Sequence, residues 1–128
     1  MSKQAFPILT LTVAATATLV AERFVTQAGA VPAADANVLG VVRQAAVSGD
    51  KVTVDVIGTA IVEAGAAITA GSTLKVDATG KVITWATSGA KVGIALQAAS
   101  ASGQFIEVYL LQNVASKIPV MIFWMRML

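Results

Sequence analysis

The chemistry open to this 128-residue chain rests largely on seven carboxylates: Glu22, Asp35, Asp50, Asp55, Glu63, Asp77 and Glu107. The sequence contains no histidine and no cysteine. That excludes Ser–His–Asp and Cys–His nucleophilic sites, and zinc sites built on imidazole or thiolate. A pair of carboxylates, such as glycosidases use, remains open in principle. Their positions point elsewhere. Asp50 and Asp77 fall in Ser48-Gly49-Asp50 and Asp77-Ala78-Thr79-Gly80, where aspartate favours a turn by bonding its own backbone. Asp55 and Glu107 lie on the polar phase of alternating segments and read as solvated. Glu22 beside Arg23 reads as a local surface pair. No carboxylate needs a catalytic role to account for it, so the sequence predicts a protein that is not an enzyme and has no cofactor or metal.

Other binding chemistries are equally thin. Gly65 and Gly71 are not followed by Lys-Ser or Lys-Thr, so they form no phosphate loop. Trp85 and Tyr109 stand too far apart in sequence for a base-stacking platform and read as core or interface residues. The nine basic residues are scattered and the formal charge is +2, which leaves no nucleic-acid footprint. Residues Ala5 to Ala21 carry no charge and follow Lys3, as in a secretory leader, but Pro7 and four threonines interrupt them. Ile118 to Leu128 is strongly apolar but about half the length a membrane-spanning helix needs. No membrane partner is expected.

The elements that position these residues are short strands. The chain is 56% hydrophobic and 12% charged, and ordinary soluble domains carry about twice that charge fraction. Alanine, valine and threonine dominate, which suits pleated sheet and leaves little charge to cover a surface. Burial against other subunits is the expected remedy. Leu9, Leu11 and Val13 alternate with Thr10 and Thr12, predicting a strand over Ile8 to Val13. Further strands are predicted over Arg23 to Thr26, Leu39 to Ala46, Lys51 to Ile57, Gly58 to Val62, Leu74 to Val76, Lys81 to Trp85, Val92 to Gln97 and Gln104 to Leu111. Ala64 to Gly71 favours one short helical turn ending at Gly71. Gly40-Val41-Val42-Arg43-Gln44-Ala45-Ala46 is echoed by Gly93-Ile94-Ala95-Leu96-Gln97-Ala98-Ala99, and a Ser-Gly-polar turn follows each. Two related strand–turn–strand units in one barrel or sandwich are implied.

A family resemblance covers roughly residues 3 to 112. It is carried by Gly58-Thr59-Ala60-Ile61-Val62-Glu63-Ala64-Gly65, then Ile68-Thr69-Ala70-Gly71-Ser72-Thr73-Leu74, Asp77-Ala78-Thr79-Gly80-Lys81-Val82, Val92 to Ala99, and Gly103-Gln104-Phe105-Ile106-Glu107-Val108. In that order they resemble the tailed-bacteriophage capsid decoration, or cement, proteins. The resemblance implies an all-β fold: a small β-barrel or β-tulip-like domain with many short strands, at most one short helix, and extended terminal arms. It implies a structural virion protein on the outer surface of a phage capsid, made in the host cytoplasm. There it would bind the major capsid protein at inter-capsomer positions, self-associate as a homotrimer and stabilise the shell. It supplies no catalytic residues. A tail or baseplate component, or a secreted carbohydrate-binding or adhesin module, is the alternative.

The expected organisation is an N-terminal arm over residues 1–7, a decoration domain over 8–113 and an apolar C-terminal arm over 114–128. The arms supply the expected capsid or subunit contacts, with packing on its own domain and a tail without order as the alternatives for the C-terminal one. The contacts are Lys3, Gln4, Ala5, Phe6, Pro7 and Ile8 at one end, and Ile118, Val120, Ile122, Phe123 and Trp124 at the other. An N-terminal arm free of helix signals suits strand addition to a capsid sheet edge.

Overall fold

A computed structural model describes residues 5–114 of the chain. Among them there is no helix and there are eight strands: β1 (Pro7–Ala14), β2 (Phe24–Val25), β3 (Gly40–Val42), β4 (Lys51–Glu63), β5 (Thr73–Val76), β6 (Val82–Thr84), β7 (Lys91–Ala95) and β8 (Phe105–Val114). They make one antiparallel sheet in the order β2-β3-β4-β8-β7-β5-β6, with β1 also on β4. The sheet does not close on itself, so the all-β expectation takes the form of an open sheet rather than a sealed barrel.

The alternation of Val52, Val54 and Val56 with polar residues produces β4 as expected, but the strand runs on through Gly58 to Glu63 as one element. Its first part pairs with β1 and β3, and residues 59–63 pair with β8. Gly58 sits where the two parts meet, at φ 117°, and a Cβ there would lie 2.3 Å from the Phe6 carbonyl oxygen. Glycine at that position lets the chain before β1 lie against β4.

β4 joins two copies of one fold unit. In the first unit β1 pairs with β4, β2 with β3, and β3 with β4. In the second, residues 59–63 of β4 pair with β8, β5 with β7, and β7 with β8. The turns match bond for bond. Leu19 and Ala46 exchange backbone hydrogen bonds, as do Ile68 and Ala99. The Gly49 amide donates to the Ala15 carbonyl (2.8 Å) and the Gly103 amide to that of Ala64 (2.8 Å). The register matches as well: Thr10 opposes Asp55 and Val13 opposes Val52, just as Thr59 opposes Tyr109 and Val62 opposes Ile106. The echo between residues 40–46 and 93–99 is therefore the visible half of a duplication. Strand β6, paired with β5, is an addition in the second unit.

Each unit has its own core. Ala15, Leu19, Val25, Val42, Ala46, Val52 and Val54 form the first. Their counterparts Ala64, Ile68, Leu74, Ala95, Ala99, Ile106 and Val108 lie in the second. That second core also takes in Phe24, Val38 and Val41 from the back of the first unit, so the two units share one apolar junction. The expected helical turn at Ala64 to Gly71 does not form. Ile68 spends its amide and carbonyl on Ala99 across the sheet, which leaves nothing for an i to i−4 bond.

Candidate contact surface

Among the described strands, β1 is exposed along most of its length. Its sequence makes it a strand, but β4 is the only strand it pairs with among the described residues. Ile8 is 81% exposed, Phe6 61%, Leu11 42% and Leu9 41%. Edge strands of soluble proteins are ordinarily protected by charge, a proline or a bulge. Here Pro7 opens the strand and register shifts flank Leu9, while Thr10 to Ala14 offers a regular, uncharged edge. Phe6 itself is fixed, exchanging backbone hydrogen bonds with Thr59 (3.1 and 3.2 Å).

The predicted contact residues divide accordingly. Ala5, Phe6, Pro7 and Ile8 lie together at the start of this surface, and all but Pro7 are exposed. Lys3, Gln4, Ile118, Val120, Ile122, Phe123 and Trp124 fall outside the described residues. Sequence reasoning missed Leu9 and Leu11, because their alternation with threonine reads as a half-buried strand. Tyr109, read as core or interface, is 48% exposed in a second apolar area on β7, β8 and the residue after β7, and sequence reasoning missed its neighbours there: Phe105, 37% exposed, and the half-buried Ile94 and Leu96.

The carboxylates behave differently from the sequence reading. Asp55 and Glu107 are not solvated: they are 2% and 5% exposed. Asp55 lies between Val41 of β3 and Thr10 of β1, and its Oδ1 accepts a hydrogen bond from Arg43 Nε at 2.7 Å. Burial pushes the Asp55 carboxyl above its ordinary value, against the opposing pull of the Arg43 charge and hydrogen bond. Asp55 and Arg43 line a hollow of about 230 Å³ with Ala5, Glu22, Val41, Val42 and Ile61, at the seam between the units. Glu107 Oε1 is buried with no hydrogen-bond partner among the described residues.

Arg23 does not pair with Glu22. Its Nε reaches Glu63 Oε1 at 2.9 Å, and Lys81 Nζ reaches the other oxygen of Glu63 at 3.5 Å. Glu22, at φ 64°, turns its carbonyl to accept from the Glu63 amide (2.9 Å). These contacts clasp the junction. Asp77 does serve its turn, accepting from the Thr79 amide (2.8 Å), the Thr79 hydroxyl (2.7 Å) and the Lys81 amide (3.1 Å). Trp85 is half-buried, donates to the Gly89 carbonyl (2.9 Å) and lies under Lys91 Nζ at 4.6 Å from the ring centre. Among the described residues no cluster of three acidic side chains is placed to hold a metal ion, and no helix is long and apolar enough to cross a membrane.

The described residues thus form an open all-β duplication with an uncovered apolar strand. The chain belongs to the phage cement protein family, whose model matches residues 3–110. It is a structural protein of a phage virion, and the family implies attachment to the capsid. Its fold is similar to the N base of head fiber gp8.5 of bacteriophage phi29, with a TM-score of 0.68 at 20% identity, over 82% of this chain and 95% of that one. No curated protein sequence matches the chain.

Proposed function

We propose that this protein binds the outer surface of a phage capsid at inter-capsomer positions, as a homotrimer, and stabilises the shell without catalysing a reaction. One observation carries the reading: the uncharged strand β1 and the residue before it present Ile8 and Phe6 to solvent. Burying those side chains against a partner contributes about 1.5–3 kcal/mol each. Repeated over a trimer and a lattice, contacts of that size hold firmly through avidity.

The major capsid protein is the partner in this reading. Residues Lys3 to Ile8 and the segment holding Ile118, Val120, Ile122, Phe123 and Trp124 are the contacts, as arms on either side of a domain over 8–113. Synthesis takes place in the host cytoplasm. The test is to add the purified protein to expanded capsids and measure bound copies and shell melting temperature. Saturation at a fixed number of copies per capsomer with a raised melting temperature supports the reading. Failure to co-sediment with the capsid overturns it.

A further inference from the structure

The duplication exposes each side of the junction between units once more. In the first unit Phe24, Val41, Asp55 and Thr10 stand side by side across β2, β3, β4 and β1. Phe24 and Val41 are 3% and 2% exposed, because their back surface is sealed against the second unit. The corresponding row in the second unit is Thr73, Ile94, Tyr109 and Thr59 across β5, β7, β8 and β4. No further unit among the described residues seals that row: Tyr109 is exposed, and Thr73 and Ile94 are half-buried. Where the first unit has the ion pair of Arg43 and Asp55, the second has Leu96 and Tyr109, so the uncovered row carries no charged group.

The receiving side shows the converse. In the second unit the first strand presents Ala60 and Val62 to the junction, 1% and 0% exposed, in one cluster with Phe24 and Val41. In the first unit the matching strand is β1, whose Leu11 is 42% exposed and Val13 only partly covered. One chain thus carries a donor face without a receiver and a receiver without a donor face.

We infer that a second copy of this chain fills both: the Thr73–Ile94–Tyr109 row of one copy docks on Leu11 and Val13 of the next, repeating the junction within the chain. The contact is heterologous, so it closes into a ring when the rotation permits. A ring of three copies would place two matching units per copy around one axis. The inference rests on the homotrimer of the proposed function and assigns its contact. A parent that self-associates while this contact fails to crosslink overturns the inference alone, and a monomeric parent overturns the homotrimer with it. Capsid binding is a separate matter.

The chain has no cysteine, so engineered thiols report the contact directly. Leu11→Cys and Ile94→Cys are made as separate full-length proteins and oxidised alone and mixed. Thr73→Cys replaces Ile94→Cys where the latter does not fold. The expected result is a disulfide-linked dimer in the mixture at least tenfold above either protein alone. A dimer from Leu11→Cys alone would mean a symmetric β1–β1 contact and overturn the inference. So would an unlinked mixture, or a parent protein that sediments as a monomer at tens of micromolar. Capsid co-sedimentation of the same variants is scored separately, so failure of the attachment reading is distinguishable.

Discussion

Truncating Phe24 to alanine tests whether the junction is a real core. Phe24 is 3% exposed and packs in one cluster with Val38, Val41, Ala60, Val62, Val76 and Val82, and its amide donates to the Gly80 carbonyl at 2.9 Å. The backbone bond survives the substitution, so the loss is that of a buried ring and the void it leaves. Phe→Ala in such a site costs about 3–5 kcal/mol. With a urea dependence of about 2 kcal/mol per molar, the midpoint falls by about 1.5–2.5 M. Thr73 occupies the same place in the second unit but is half-buried. Thr73→Ala at low protein concentration is expected to cost under about 1 kcal/mol, as substitutions away from a core do. The assay is urea unfolding of both variants followed by circular dichroism. Equal losses at the two positions, or a Phe24→Ala loss under about 1 kcal/mol, would refute the claim that one face of the repeat is sealed and the other open.

Three further outcomes follow from the same geometry. Gly40 and Gly93 match in the repeat, and a Cβ would fall 2.1 Å from the Asp55 carbonyl oxygen at Gly40, and 2.4 Å from Val108 Cγ1 and 2.9 Å from the Tyr109 carbonyl oxygen at Gly93. Gly40→Ala, which meets backbone at the shorter distance, is expected to destabilise more than Gly93→Ala, by about 1–3 kcal/mol as overpacking does; thermal melting of the pair checks the order. Glu63→Gln weakens the clasp to Arg23 and Lys81 and is expected to cost about 1–3 kcal/mol, the range for hydrogen bonds to charged groups; an unchanged melting temperature would count against a role for the clasp. Asp55 titrates higher in the fold than its ordinary value of 3.8, so its burial cost is absent below that pH and grows as pH rises through the folded value. Asp55→Asn is therefore expected to gain stability relative to the parent as pH rises from 3.8 to the raised folded value, and a gap that stays flat or narrows over that rise contradicts the burial argument.

Much of the fold was legible because period-two alternation and Gly-rich turns are local signals. Val52, Val54 and Val56 identified β4, and Ser48-Gly49-Asp50 identified the turn before it. The second half of the duplication was visible because its copies keep glycine, glutamine and alanine in step. The first half was not. Ala15 and Leu19 match Ala64 and Ile68, but the intervening residues share too little to be noticed, and alanine content at residues 64–70 favoured a helical turn instead. Long-range pairing with Ala99 overrode that local preference.

The candidate contact surface was legible only at its start. Ala5 to Ile8, expected as contacts, lie at the start of the exposed surface, whereas Leu9 and Leu11 look like ordinary members of an alternating strand. Asp55 and Glu107 were misread for a related reason. Alternation says which residues share a face, but it does not say whether that face meets water or another part of the chain.

Composition alone determined what chemistry the protein lacks, since absent histidine and cysteine exclude their reactions in any fold. Periodicity determined that it is built of short antiparallel strands. Only the tertiary structure decided that these strands form two matched units sharing β4. It also decided that the second unit seals Phe24 and Val41, while nothing among the described residues covers Leu11 and Tyr109 to the same degree. The physical reason is that burial depends on which surfaces meet across distances of dozens of residues, and a strand's local pattern is the same whether its apolar side is covered or bare.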